Sequence, residues 1–265
     1  MNSPTRRPPS AVHATLAALA ASAVVTLALT APAARAAPAA APGVVPVSFD
    51  ADLAPAGGEQ SFEAELREMV RDARARVVAG LGMEPDPGVS VQVHSRAEFE
   101  RRFGADAARI DRARFEGDVI HVNGSGRLDD RIAATLVHEL GHAALDAKGA
   151  ERRLPRWPDE GLCERLSWQR RGLARPAPDQ VAELRQARER RQLVPLPAEG
   201  ELSRTGYLVS WAAVVWLEGK AGRDRLLAAV RATLAGEPFE AAARRELGMG
   251  QEDVERGFEA WVGGL

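Results

Sequence analysis

Two histidines and a glutamate lie close together in the middle of the chain, at a spacing that suits metal chemistry. His138 and His142 are four residues apart, and Glu139 directly follows the first of them. Residues four apart lie on one face of an α-helix, so the two imidazoles could bind one ion. The glutamate projects to the side where a reacting water would lie. The pattern His-Glu-x-x-His therefore predicts a zinc site with a general base.

The segment around this pattern, residues 129–147, has the periodicity of a helix with one buried face. At about 100° per residue, the three chemical side chains fall together outside an apolar wedge. The wedge consists of Ile132, Ala133, Leu136, Val137, Leu140, Ala143 and Ala144. One face of the helix is therefore expected in the core and the other in a site.

A catalytic zinc needs a third protein ligand and an open fourth position. The metzincin arrangement is excluded, because Leu145 and Lys148 occupy the positions where it requires glycine and histidine. A glutamate on a following helix is another arrangement, and Glu160 follows His142 by 18 residues. Pro158 suits the first turn of such a helix, so Glu160 is expected near a helix start.

Two further residues on this second helix could lie near the metal. Glu164 is one turn beyond Glu160 and could accept the second N–H of a ligand histidine, although a solvated surface carboxylate is the alternative. Cys163 is the only cysteine, so the chain has no internal disulfide. Its position allows proximity to the metal, but a small buried residue is the favoured interpretation.

The chain resembles a known family from about Val89 to its C-terminus. Three segments carry the resemblance: Thr135–His142, Leu154–Glu164 and, more weakly, Gly206–Trp211. They are similar to the peptidase MA-like domain family, a bacterial branch of the thermolysin-like gluzincin metallopeptidases.

The resemblance implies one catalytic zinc per chain, held by His138, His142 and Glu160, with Glu139 as general base. Tyr207, the only tyrosine, falls on a helix start where the family also carries a tyrosine. Its phenol could donate a hydrogen bond to a tetrahedral oxyanion, or it could be an ordinary core residue. Arg204, one turn earlier, is a weaker candidate for the same role.

The wider pattern predicts an α+β fold, and the resemblance implies that this fold is zincin-like. A small mixed or antiparallel sheet lobe carries the zinc helix, and an all-α lobe follows. The predicted strands are 88–94 and 117–122. The predicted helices are 61–81, 97–103, 129–147, 159–171, 178–192, 203–218, 222–235, 239–247 and 251–262.

The strand ahead of the zinc helix is the expected substrate strand, again by resemblance. It spans 118–123, with Ile120, His121 and Val122 at its centre, and would pair with an extended peptide by β-augmentation. His94 and His121 could also touch substrate, but a structural cross-strand pair between them is favoured.

Residues 1–36 are typical of an export signal. Arg6 and Arg7 precede an apolar run from Leu16 to Leu29, and Ala34–Ala36 has the small residues of a cleavage site. A secreted or periplasmic, cell-envelope location is expected, with an uncleaved membrane anchor as the alternative. An alanine- and proline-rich linker, 37–57, is expected before the domain at 58–265, whose lobes are 58–150 and 151–265.

The charge balance and motifs limit the function further. With a net charge of −2 and no basic patch interleaved with aromatic residues, no nucleic-acid partner is expected. A peptide or protein substrate is expected, and endopeptidase action is favoured because Gly124–Gly126 lacks the glutamate of related aminopeptidases. Two alternatives remain: a catalytically silent binding or scaffold protein of the cell envelope, and a zinc hydrolase of a non-peptide amide.

Overall fold

The structure, a computed structural model, describes residues 45–50, 59–105, 113–124, 128–146, 154–200 and 202–265. The predicted signal peptide lies outside the described residues, as does the predicted linker apart from 45–50. The described residues belong to one unit, Ala37–Leu265, which includes both predicted lobes. Within them, no helix combines the length and apolar composition needed to cross a membrane.

A four-stranded sheet forms the β part of the fold. Its strands are β1 (Val47–Phe49), β2 (Ser90–His94), β3 (Ala113–Glu116) and β4 (Val119–Asn123). Their order is β1-β2-β4-β3; β1, β2 and β4 run parallel, and β3 is antiparallel to β4. The sheet is therefore mixed, and β4 lies inside it with a neighbour on each side.

Two of these strands were missed by the sequence analysis. β1 falls within the segment predicted as a linker, and its register places Val47 opposite Val91. β3 forms a hairpin with β4, whose turn contains Gly117 and Asp118 at φ 53° and 66°. These left-handed conformations are those of a tight hairpin turn. The strand that was predicted from Gly117 therefore begins only at Val119.

The two faces of the sheet differ in polarity, as strand alternation requires. One face is apolar and joins the hydrophobic core through Val91, Val93, Ile120 and Val122, all fully buried. The other face carries polar side chains and is covered by α2 (Arg96–Phe103), whose aromatic rings pack on His94 and His121.

Helices form the rest of the described chain. Besides α2 they are α1 (Glu59–Leu81), α3 (Asp130–Leu145), α4 (Arg156–Arg170), α5 (Pro178–Glu189), α6 (Arg204–Ala221), α7 (Arg223–Leu234), α8 (Phe239–Leu247) and α9 (Gln251–Gly264). All nine were predicted, with bounds that differ by at most a few residues. The α+β class and the helical C-terminal half are confirmed.

Helix α3 carries the two histidines and the glutamate of the His-Glu-x-x-His pattern. The side chain of Asp129 caps its start by accepting hydrogen bonds from the amides of Arg131 and Ile132, both at 3.0 Å. The helix packs on α1, on β3 and β4, and on α4. Its apolar face is buried, as its periodicity predicts.

Helix α4 starts without a side-chain cap, because Pro155 stands at the capping position. The amides of Arg156 and Trp157 instead donate to the carbonyls of Ala198 and Pro197, at 2.8 and 2.9 Å. These bonds satisfy two of the free amides of the first turn. A distant segment of the chain therefore fixes the start of α4.

Glycines allow α4 to approach its two neighbours closely. A Cβ at Gly141 on α3 would lie 2.9 Å from Sγ of Cys163 on α4. A Cβ at Gly161 on α4 would collide with the backbone carbonyl of Ser210 on α6. Helix α4 is thus packed tightly between α3 and α6.

Candidate metal centre

Three side chains from α3 and α4 converge on one point. Nε2 of His138 and Nε2 of His142 are 3.1 Å apart, and Oε2 of Glu160 lies 3.2 and 3.3 Å from them. A tetrahedral zinc with bonds of about 2.0–2.1 Å places its ligand atoms about 3.3 Å apart. The three atoms therefore have the mutual spacing of a metal-ligand set.

The environment of Glu160 also fits a cation. Its side chain is 1% exposed, and Oε2 has no hydrogen-bond partner among the described residues, although both imidazoles are close. Burial alone would raise the pKa of Glu160, but the two neighbouring imidazoles hold that pKa well below its ordinary value. A buried carboxylate oxygen without a hydrogen bond, facing two imidazole nitrogens, is suited to a metal ion between them.

A second group of potential ligands shares one histidine with the first. It consists of Nδ1 of His142, Asp159 and Cys163. Burial raises the pKa of the Cys163 thiol to about 12. The thiol therefore keeps its proton while no metal is bound, and zinc binding by this second group would release that proton.

Glu139 lies beside this centre, on the same helix as the histidines. Its Oε2 accepts a hydrogen bond from the backbone N–H of Phe115 in β3, at 3.0 Å. Burial raises the pKa of Glu139, while the charges of His138 and His142 oppose the shift. A carboxyl whose pKa is raised toward neutrality is suited to taking and returning a proton.

Each histidine has a carboxylate on its other nitrogen. Oε1 of Glu164 lies 3.4 Å from Nδ1 of His138, and the indole N–H of Trp168 donates to Oε2 of Glu164. Oδ1 of Asp159 lies 3.0 Å from Nδ1 of His142. Such partners fix the tautomer of a metal-binding imidazole so that Nε2 offers its lone pair.

Asp159 in this position was missed by the sequence analysis, which assigned it only to the helix start. The one signal in the sequence was that Asp159 directly precedes the predicted ligand Glu160. That signal becomes informative only once the first turn of α4 is known to lie against His142.

Tyr207 and Arg204 were both considered for transition-state binding, and the structure separates them. The ring of Tyr207 is half-buried and lies 6.4 Å from the ring of His138, centroid to centroid. Burial raises the pKa of Tyr207, so its phenol keeps the proton that it could donate. Arg204 is exposed and lines a surface pocket with Glu183 and Arg190, between α5 and α6.

The substrate-strand prediction requires a correction. Ile120, His121 and Val122 are buried in β4, whose backbone pairs with β2 on one side and β3 on the other. No edge of β4 is left for a peptide. In the described part of the chain, β3 is the outer strand on the side of the metal centre.

His94 and His121 form a structural pair, as the sequence analysis favoured. Nε2 of His94 and Nδ1 of His121 are 2.7 Å apart, and Oδ2 of Asp50 lies 3.1 Å from Nδ1 of His94. This chain of contacts lies on the polar face of the sheet under α2. Neither histidine belongs to the metal centre.

Comparisons with protein-family models, with curated proteins and with solved structures find no match to this chain.

Proposed function

We propose that this chain is an exported zinc-dependent metallopeptidase of the gluzincin type, with a zincin-like fold. The observation that carries the proposal is the triangle of Nε2 of His138, Nε2 of His142 and Oε2 of Glu160, with sides of 3.1, 3.2 and 3.3 Å. A zinc ion bound there supplies Lewis acidity. Glu139, the neighbour of His138, supplies the base.

Glu139 performs the proton transfers in this proposal. Its carboxylate takes a proton from the attacking water and later delivers it to the leaving nitrogen of the peptide bond. The Phe115 amide holds Oε2 and so limits rotation of the carboxylate. Tyr207, beside His138, could donate its phenolic hydrogen to the developing oxyanion.

An extended peptide would bind along β3 in this proposal. The N–H of Phe115 points away from β4 and is taken by Glu139. A peptide would therefore pair with the carbonyl of Phe115 and with the backbone groups of Ala113, which strand alternation turns toward the same side. A substrate chain at this edge would lie beside the general base. Such pairing binds the substrate through hydrogen bonds to its backbone rather than through its side chains, which suits an endopeptidase.

The test combines metal content with peptide cleavage, using the full-length protein. We expect one zinc per chain, cleavage of a quenched fluorescent peptide library, loss of cleavage with a chelator, and recovery on adding zinc. His142→Ala should lose both zinc and cleavage. Protein that binds no zinc would overturn the proposal.

The same experiment separates the alternative functions. Bound zinc without cleavage of any peptide, but with release of amine from cell-envelope amides, would indicate a hydrolase of non-peptide amides. Bound zinc without turnover of either class would indicate a silent scaffold. Both outcomes would exclude the peptidase.

A further inference from the structure

Arg156 forms an ion pair with the proposed metal ligand Glu160. Its Nη2 contacts Oε1 of Glu160, one turn later on the same helix. The side chain of Arg156 is 17% exposed and that of Glu160 is 1% exposed, so solvent screens the pair only weakly. The arginine was not considered in the sequence analysis.

The two oxygens of Glu160 therefore have different partners. Oε2 faces the two imidazoles, whereas Oε1 is occupied by a guanidinium. A carboxylate can bind a metal through one oxygen or through both. An oxygen held in a charge-assisted contact is not free to become a second ligand atom.

We infer that Arg156 is a positioning residue that keeps Glu160 a single-oxygen ligand. This inference depends on the proposed function. With one oxygen from Glu160 and one nitrogen from each histidine, three ligand atoms are used and a fourth position remains for water and substrate. Binding through both oxygens would add a ligand atom beside the water, so the ion would have five ligand atoms and less room for substrate.

Two further contacts hold Arg156 beside the proposed centre. Its backbone N–H is held by the carbonyl of Ala198, which fixes the base of the side chain. Its Nη1 lies 3.9 Å from Oδ2 of Asp159, so one guanidinium lies between the carboxylates that support the centre. Its Nε is buried and has no hydrogen-bond partner among the described residues.

Cobalt substitution tests the inference, because the visible absorption of Co²⁺ reports coordination number. Full-length protein loaded with Co²⁺ would be compared with Arg156→Met and Arg156→Lys. We expect wild type to give the intense bands of a four-coordinate ion and Arg156→Met the weaker bands of a five-coordinate ion. Arg156→Lys restores a positive charge and should recover most of the wild-type intensity.

Arg165→Met is the matched control. Arg165 lies on the same helix, its side chain is 11% exposed, and its Nε pairs with Glu218 at 2.8 Å, away from the ligands. Its removal breaks a comparable ion pair and should leave the cobalt spectrum unchanged.

Kinetics of the zinc-loaded proteins give a second measurement. The kcat of Arg156→Met should fall about 10- to 100-fold below that of wild type, with little change in KM.

The outcomes separate the inference from the proposed function. A wild-type protein that binds no cobalt would contradict the metal site itself. A wild-type protein that binds cobalt, with the four-coordinate spectrum retained in Arg156→Met, would overturn the role of Arg156 and leave the metal site intact. If Arg156→Met does not fold, Arg156→Gln must show the same loss of intensity, and an unchanged spectrum would overturn the inference.

Discussion

The backbone N–H of Phe115 donates a hydrogen bond to Oε2 of Glu139 at 3.0 Å, which joins the outer strand β3 to the proposed general base. The strand thereby has two roles in the proposed enzyme. It orients the base, and it offers the edge along which a peptide would lie.

Phe115→Pro removes this N–H, and Phe115→Ala removes the same ring while keeping the N–H. Proline is tolerated on an edge strand where the lost N–H does not pair with the sheet. A hydrogen bond to a charged group contributes about 1.5–3 kcal/mol, so kcat of the proline variant should fall about 10- to 100-fold below that of the alanine variant. Equal kcat values in a peptide-cleavage assay would remove the orienting role.

Glu139→Gln keeps the shape of the side chain but cannot accept a proton. We expect kcat to fall by about 10²- to 10⁴-fold, the usual contribution of general acid–base catalysis. Zinc content, measured by mass spectrometry, should stay at one per chain, because Glu139 is not a proposed ligand. Retained turnover would rule out Glu139 as the base.

Metal binding should stabilise the fold, because its ligands come from two helices that meet only in the folded state. At free zinc about 1,000-fold above Kd, the stabilisation is about 4 kcal/mol, or about 10 °C in Tm. Thermal unfolding with zinc and with a chelator measures the difference. Glu160→Ala should strongly reduce this zinc-dependent rise in Tm. A wild-type Tm that is identical with zinc and with the chelator would count against the site.

Asp159 should fix the tautomer of His142. Asp159→Ala removes the partner of Nδ1 and is expected to weaken zinc binding about 10- to 100-fold, as for other carboxylate–histidine pairs. Asp159→Asn keeps an acceptor oxygen and should lie between wild type and the alanine variant. Competition with a chromophoric chelator gives the three Kd values, and no weakening in the alanine variant would refute the role.

His121 should make stability depend on pH below neutrality. Burial, with smaller contributions from the charges of Arg102 and His94, lowers the pKa of His121 from 6.5 to about 4. Between these values the unfolded state binds more protons than the folded state, so stability falls as the pH falls. Glu116 and Asp50 also face the ring and oppose the shift.

Urea unfolding from pH 7.5 to 4, with a chelator present so that metal release does not contribute, measures this effect. His121→Gln cannot titrate, so its midpoint should change less over the same range than that of wild type. Parallel pH profiles for the two proteins would show that His121 does not contribute.

The helix that carries the two candidate metal-binding histidines could be predicted because its signals are local. The spacing of His138 and His142 and the apolar wedge depend on one helix, and the start of α4 near Glu160 followed from Pro158. The contact between Asp159 and His142 could not be predicted in the same way. It depends on how two helices lie against each other.

The sheet likewise depends on contacts between segments that are far apart in the sequence, and these contacts could not be predicted from local patterns. β1 is three residues long and pairs with a strand about forty residues later, which leaves almost no local signal. Gly117 and Asp118 offered a turn signal, but the charged residues of β3 did not resemble a strand. Because strand order is a property of the whole sheet, β4 was wrongly expected to carry a free edge.

The glycine at position 161 links the protein's architecture to its chemistry. Because Gly161 has no side chain, the backbone of the tyrosine-bearing helix can pack directly on the helix that carries the proposed acidic ligand. A methyl group at this position would push the two helices apart and move the phenol of Tyr207 away from the imidazole of His138. In the proposed enzyme, a substitution that touches no reactive group would then impair turnover through distance alone.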